Sequence, residues 1–75
     1  AETMEAKEIG AAIDAAVSRL PLKHRTAFML REYEGLSYQE MAEVMHCSVG
    51  TVMSRLFHAR KRLQHMLEPL GFAEN

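Results

Sequence analysis

The chain has 75 residues, 48 % of them hydrophobic and 25 % charged, with a net charge of −1; this describes one small globular domain with a thin core. No apolar run approaches the roughly 20 residues that cross a bilayer, and the acidic start lacks the basic-then-apolar pattern of a secretory leader. The single cysteine, Cys47, excludes an internal disulfide and suits a reducing cytoplasm.

In chain order the pattern predicts four helices and no strand. Ile9, Ala12, Ile13, Ala16, Val17 and Leu20 keep an i, i+3, i+4 rhythm, which predicts a first helix from Met4 to Ser18. It is acidic: residues 1–20 hold Glu2, Glu5, Glu8 and Asp14 against Lys7 and Arg19. Leu20-Pro21 ends it, because proline disfavours helix at the preceding residue. A second helix starts at Pro21 or Leu22 and runs to Glu34, and its Ala27-Phe28-Met29-Leu30 run is apolar on most sides, so it is expected to be the central helix. Gly35 is a left-handed stop, after which Leu36 folds back on Leu30. The chain opens on a helical pattern at Ala1 and reads as a domain cut from a longer protein.

From Gly35 to Leu63 the sequence reads as a short helix, a tight turn and a longer basic helix. Ser37 followed by Glu40 is a capping box, which satisfies two free amide donors at a helix start. Tyr38, Met41, Ala42 and Met45 then recur with the period of a one-sided helix, and His46 and Cys47 break that run. Ser48 caps the next helix by accepting the amide of Gly50 or Thr51. Two helices joined by a three-residue turn have the layout of a helix-turn-helix DNA reader, and the small side chain of Ala42 lets the two approach closely. Pro69 and Gly71 terminate the last helix, and the end near Asn75 is expected to fray.

On a wheel of about 100° per residue, Val52, Leu56, Ala59, Leu63 and Met66 form the core stripe of the last helix. Arg55 and Arg62 flank it, and Thr51, Ser54, His58, Lys61 and His65 lie on the solvent face. Phe57 points away on the other side, beyond Met53 and Arg60. A phenylalanine facing water beside arginines suits a thymine methyl in a major groove, or else it covers a neighbouring helix. The segment Val49 to Leu67 holds four Lys or Arg residues and no Asp or Glu. Although the net charge alone argues weakly against nucleic-acid binding, this distribution favours phosphate contact and lets an acidic end and a basic end orient the molecule towards DNA.

These residues carry a family resemblance. Leu20-Pro21, Arg25, the segment LREYEGLSYQEMAEVM from Leu30, then Ser48-Val49-Gly50-Thr51-Val52, Ser54-Arg55-Leu56 and Ala59-Arg60 closely resemble the C-terminal region-four domain of bacterial RNA polymerase sigma factors of the extracytoplasmic-function class. The resemblance covers the chain from Leu20 onward, and its GTV-x-SRL-x-x-AR string is far more specific than a generic helix-turn-helix pattern. It implies an all-α, four-helix domain ending in a helix-turn-helix, arranged as an acidic helix over residues 1–19, a region-four core over 20–68 and a tail over 69–75. It also implies binding of the −35 promoter element through the last helix, with Gly50, Thr51, Met53, Ser54, Arg55, Phe57, His58, Lys61 and Arg62 as the DNA-binding set. Ser54, Phe57 and His58 would meet bases, and Thr51 and Arg55 the backbone. Partners implied are promoter DNA, the β flap of the polymerase core and an anti-sigma factor, in the cytoplasm and away from any membrane. Two positions depart from the family: Met53 stands where Lys or Arg is usual, and His58 where an arginine commonly precedes the Ala-Arg pair. Each removes a permanent positive charge from the DNA face.

Other chemistry is less well supported. His46, Cys47, His58 and His65 are metal-ligand types, but paired zinc-ligand spacings are missing, and no Gly-rich phosphate loop is present. Neither an enzyme, a metal nor a cofactor is expected. Two other classes remain: the output domain of a dimeric response regulator, which shares the GLS-x-x-E-x-A and GTV patterns, and a protein-interaction module with a methionine-rich surface. The basic outer face of the last helix opposes the self-contact that a response regulator makes there.

Overall fold

The computed structural model describes residues 5–70. Among them are four α-helices and no strand: α1 Ala6–Ser18, α2 Leu22–Glu32, α3 Tyr38–Met45 and α4 Val49–Leu67, followed by a 3₁₀ turn over Glu68–Leu70. The all-α class expected from the periodicity is the observed one. The expected helix start at Met4, the stop at Gly71 and the fraying end at Asn75 fall outside the described residues.

Local chemistry explains most boundaries. Glu8 begins α1 by accepting the Glu5 amide at 3.0 Å. At α3, the Ser37 amide donates to Glu40 Oε1 at 2.8 Å while the Ser37 hydroxyl accepts the Glu40 amide at 3.1 Å. The Ser37 amide first, and then the Ser37 hydroxyl beside it, hold the Glu40 carboxyl below its ordinary value. At α4, Ser48 Oγ accepts the Thr51 amide at 3.1 Å and donates to the Thr51 hydroxyl at 3.0 Å. Helix α2 ends at Glu32, two residues earlier than the sequence predicts. There the amides of Tyr33 and Glu34 converge on the Met29 carbonyl, and Gly35 at φ 72° turns the chain. The Leu36 amide then donates to the Leu30 carbonyl at 3.0 Å, and Arg31 Nη1 donates to the Leu36 carbonyl at 2.8 Å.

The turn between α3 and α4 is a Schellman motif. His46 takes the left-handed position at φ 55°, ψ 50°; the Cys47 amide donates to the Ala42 carbonyl at 3.0 Å and the His46 amide to the Glu43 carbonyl at 3.4 Å. Two of the four orphan carbonyls at the end of α3 are thereby satisfied. Three residues separate the helices, as expected.

The core has two clusters, and α4 belongs to both. One joins Ala16, Val17 and Leu20 to Ala59 and Leu63, with Ile13, Phe28, Met66 and Leu67 packed around them. The other joins Ala27, Met41, Val52 and Leu56, surrounded by Leu30, Leu36, Tyr38, Ala42, Met45 and Cys47. The axis of the fold is therefore α4, about 28 Å long at 1.5 Å per residue, and not α2 as its apolar run suggests. Helix α2 is the shorter of the two and lies across the spine: of that run only Ala27 is fully buried, and Met29 is exposed. Alanines 16, 27 and 59 are all buried, and their small side chains bring the helices close. Leu56, fully buried, contributes about 1.5–3 kcal/mol by leaving water.

Candidate nucleic-acid interface

The helix-turn-helix presents one face of α4 to solvent. With Val52, Leu56, Ala59 and Leu63 pinned in the core, Ser54, His58, Lys61 and Arg62 are exposed on the opposite side, and Thr51 is half-buried beside its cap. Gly50 is exposed in the first turn. A methyl group added there would meet only Ser48 Oγ, at an ordinary 3.7 Å, so the fold does not require glycine at this position. Phe57 is 58 % exposed and Met53 52 %; Phe57 is thus outward-facing rather than a cover for a neighbouring helix. The two line an open groove of 340 Å³ with Tyr38 and Lys61. Lys61 Nζ lies 5.9 Å from the centre of the Phe57 ring, within cation–π reach.

Two arginines are held by the protein. Arg60, expected from its place on the helix to help meet phosphates, pairs with Glu32 of α2 at 3.1 Å. The sequence could not announce this pair, because it joins two helices whose crossing only the packed core sets. Arg55 is half-buried, with Nη1 3.8 Å from Cys47 Sγ. The guanidinium lies over the turn, and Cys47 is half-buried against the cluster of Met41, Val52 and Leu56. Lys61 and Arg62 have no carboxylate partner among the described residues.

One neighbour of this face was not among the expected site residues. His24, in the first turn of α2, stacks on His58 with ring centroids 6.0 Å apart and planes 27° apart. On its other side His58 meets Phe57 edge-on at 5.4 Å. His24 Nδ1 is buried with no hydrogen-bond partner. Burial first, then the positive charges of Arg62, His58 and Arg55, hold this imidazole below its ordinary 6.5 and favour the neutral ring. No spacing rule connects the two histidines; the crossing of α2 over α4 brings them together.

Little else competes as a site. Among the described residues no group of three or more His, Cys, Asp or Glu side chains could hold a metal ion, and no helix is long and apolar enough to cross a membrane. A second groove, of 300 Å³, lies between α1 and α2 and is lined by Asp14, Val17, Ser18, Arg25, Met29 and Tyr33. Tyr33 closes one end of it by donating to Asp14 Oδ1 at 2.8 Å, a bond that raises the Tyr33 phenol above its usual value, with burial as the next cause.

Comparison with known proteins supplies the family. The family described as "Sigma-70, region 4" matches residues 10–63. The RNA polymerase sigma-H factor of Pseudomonas aeruginosa is 51 % identical over 63 residues, which are 84 % of this chain and 33 % of that protein. The ECF RNA polymerase sigma-E factor of Haemophilus influenzae is 43 % identical and that of Escherichia coli 42 %, each over 67 residues, 89 % of this chain and 35 % of the relative. The chain thus spans about a third of the length of the curated relatives it matches. These matches decide against the response-regulator reading. Helix-turn-helix geometry, a carboxylate-free α4 and the match over residues 10–63 agree: the chain belongs to the sigma-70 region 4 family.

Proposed function

We propose that this domain recognises the −35 element of promoters in bacterial transcription initiation, as the C-terminal part of a sigma factor working in the cytoplasm. The observation that carries the reading is the outward face of α4: Ser54, His58, Lys61 and Arg62 are exposed together on a helix without a single carboxylate, held on α3 by a tight turn. Such a helix fits the major groove. Ser54, Phe57 and His58 would meet base edges, with Phe57 and Met53 offering apolar surface to thymine methyls. Thr51, Arg55, Lys61 and Arg62 would fix the helix on phosphates, and Gly50 would let the backbone approach.

Only a few phosphates are within reach, since Arg60 is engaged by Glu32, so affinity in isolation should be modest and salt-dependent. The test is titration of a duplex carrying a −35 element at several salt concentrations. Neutralising three phosphates gives a log–log slope near about −3; a salt-independent affinity refutes the phosphate contacts. For the polymerase β flap, the groove between α1 and α2, which takes no residue of α4, is the proposed docking surface.

An anti-sigma factor is a further proposed partner. The groove bordered by the exposed Met53 and Phe57 favours a second reading, in which α4 binds protein and not DNA. Binding-site selection on random duplexes separates the two. If Phe57→Ala and His58→Ala both leave the selected sequence unchanged, the interaction reading takes the lead.

A further inference from the structure

An exposed histidine on a helix ordinarily samples several rotamers, which blurs any contact it makes with a base edge. His58 is constrained instead. Phe57 meets it edge-on at 5.4 Å, and His24 lies against it at 6.0 Å, 27° from parallel. His24 comes from α2, is half-buried, and has no hydrogen-bond partner at Nδ1.

We propose that His24 is a positioning residue for DNA reading: its ring, stacked on His58, holds that imidazole in one orientation towards the groove. The inference rests on the reading of α4 as the DNA-binding helix. The stack is strongest while at least one ring is neutral, because two protonated rings at this separation repel each other. The surroundings favour that state. From α4 the pair is faced by Arg55 and Arg62, with Lys61 over the adjoining Phe57. On α2 the flanking Lys23 is basic, and Arg25 is bonded to the Ser18 carbonyl. Of the carboxylates on the other helices, Asp14 of α1 accepts from Tyr33 and Glu40 of α3 from Ser37. Among the described residues neither imidazole is paired with a carboxylate. Acid that charges both rings therefore adds positive charge without a counterion and loosens the stack, while strengthening attraction to any duplex.

Discrimination and total affinity are thus expected to move in opposite directions with pH, which a purely structural histidine would not cause. The experiment measures binding of the 75-residue chain to its selected duplex and to a duplex altered at the base pair sensitive to His58, between about pH 7.5 and 5.5. The variants are His24→Ala, His24→Phe and His58→Ala, with helicity and thermal midpoint recorded for each. The unaltered chain should prefer the selected duplex by about five- to tenfold at the upper pH and lose that preference progressively as the pH falls. His24→Ala should lack the preference throughout. His24→Phe, which keeps a flat ring but takes up no proton, should retain it down to the lower pH; that variant keeps the test open should His24→Ala fold poorly. If His58→Ala removes the preference while neither His24 variant alters its size or pH dependence, the positioning role is overturned and the DNA reading stands. If His58→Ala leaves the preference intact, His58 does not read bases and the positioning role is overturned, while the DNA reading then rests on Ser54 and Phe57.

Discussion

At the scale of single residues, this domain separates what the fold needs from what the surface offers. Gly50 illustrates it: the helix would accept alanine, since the added methyl meets only Ser48 Oγ at 3.7 Å. Gly50→Ala should therefore raise stability in urea melts by up to about 1 kcal/mol while weakening binding to a −35 duplex, because the methyl stands where backbone would approach phosphate. Equal losses in stability and binding would show that glycine serves the fold. His24 carries a second prediction. Its folded form favours the neutral ring relative to the ordinary 6.5, so below that pH the unfolded chain takes up the proton more readily than the folded one. Stability should thus be fully present above about pH 6.5 and fall as the pH drops towards the depressed folded value. In His24→Phe the slope between about pH 6.5 and 5 should flatten, as thermal midpoints at stepped pH would show.

Elements come out of this sequence more clearly than their arrangement does. The starts of both helices of the helix-turn-helix were legible to within a residue, because Ser37, Glu40 and Ser48 are side chains whose hydrogen bonds are local. The stripe of α4 was legible for the same reason, since periodicity needs no knowledge of partners. The rank of α2 was not: an apolar run states that a helix can be buried, whereas crossing geometry decides which of its sides is. Nor were Arg60–Glu32 and His24–His58 visible, as each pair exists only once α2 lies across α4. His46 sits between these cases. The break was visible, but its left-handed φ of 55° is a conformation that costs a non-glycine residue about 1–2 kcal/mol. His46→Gly should accordingly stabilise the domain by about 1 kcal/mol, with binding unchanged because the turn keeps its path. A destabilised glycine variant would mean that the imidazole itself makes a contact worth more than the strain.

For the whole molecule, shape follows from the spine. The domain measures 43 × 21 × 19 Å, long for its size, because its two apolar clusters lie one beyond the other along α4 instead of merging. Charge is unevenly spread, with α3 carrying only carboxylates and α4 only basic side chains, so a field too weak to matter by net charge alone still has a direction. The separate clusters also give the molecule two places at which to come apart. The upper one, around Ala16 and Ala59, relies on α1, which two exposed side-chain bonds tie to the rest: Tyr33 to Asp14 and Arg25 to the Ser18 carbonyl. The lower one closes α3 against α4 with a Schellman turn and two caps. Sub-global opening should begin where fewest buried contacts must be given up, and that is α1. In deuterated buffer the amides of α1 should exchange ahead of those at Met41, Val52 and Leu56, leaving for brief intervals a protected helix-turn-helix whose upper apolar seam, Ala59 and Leu63, is bare. A species of that kind would be sticky while still competent to sit in a groove, so what caps the seam sets the lifetime of the free domain before aggregation.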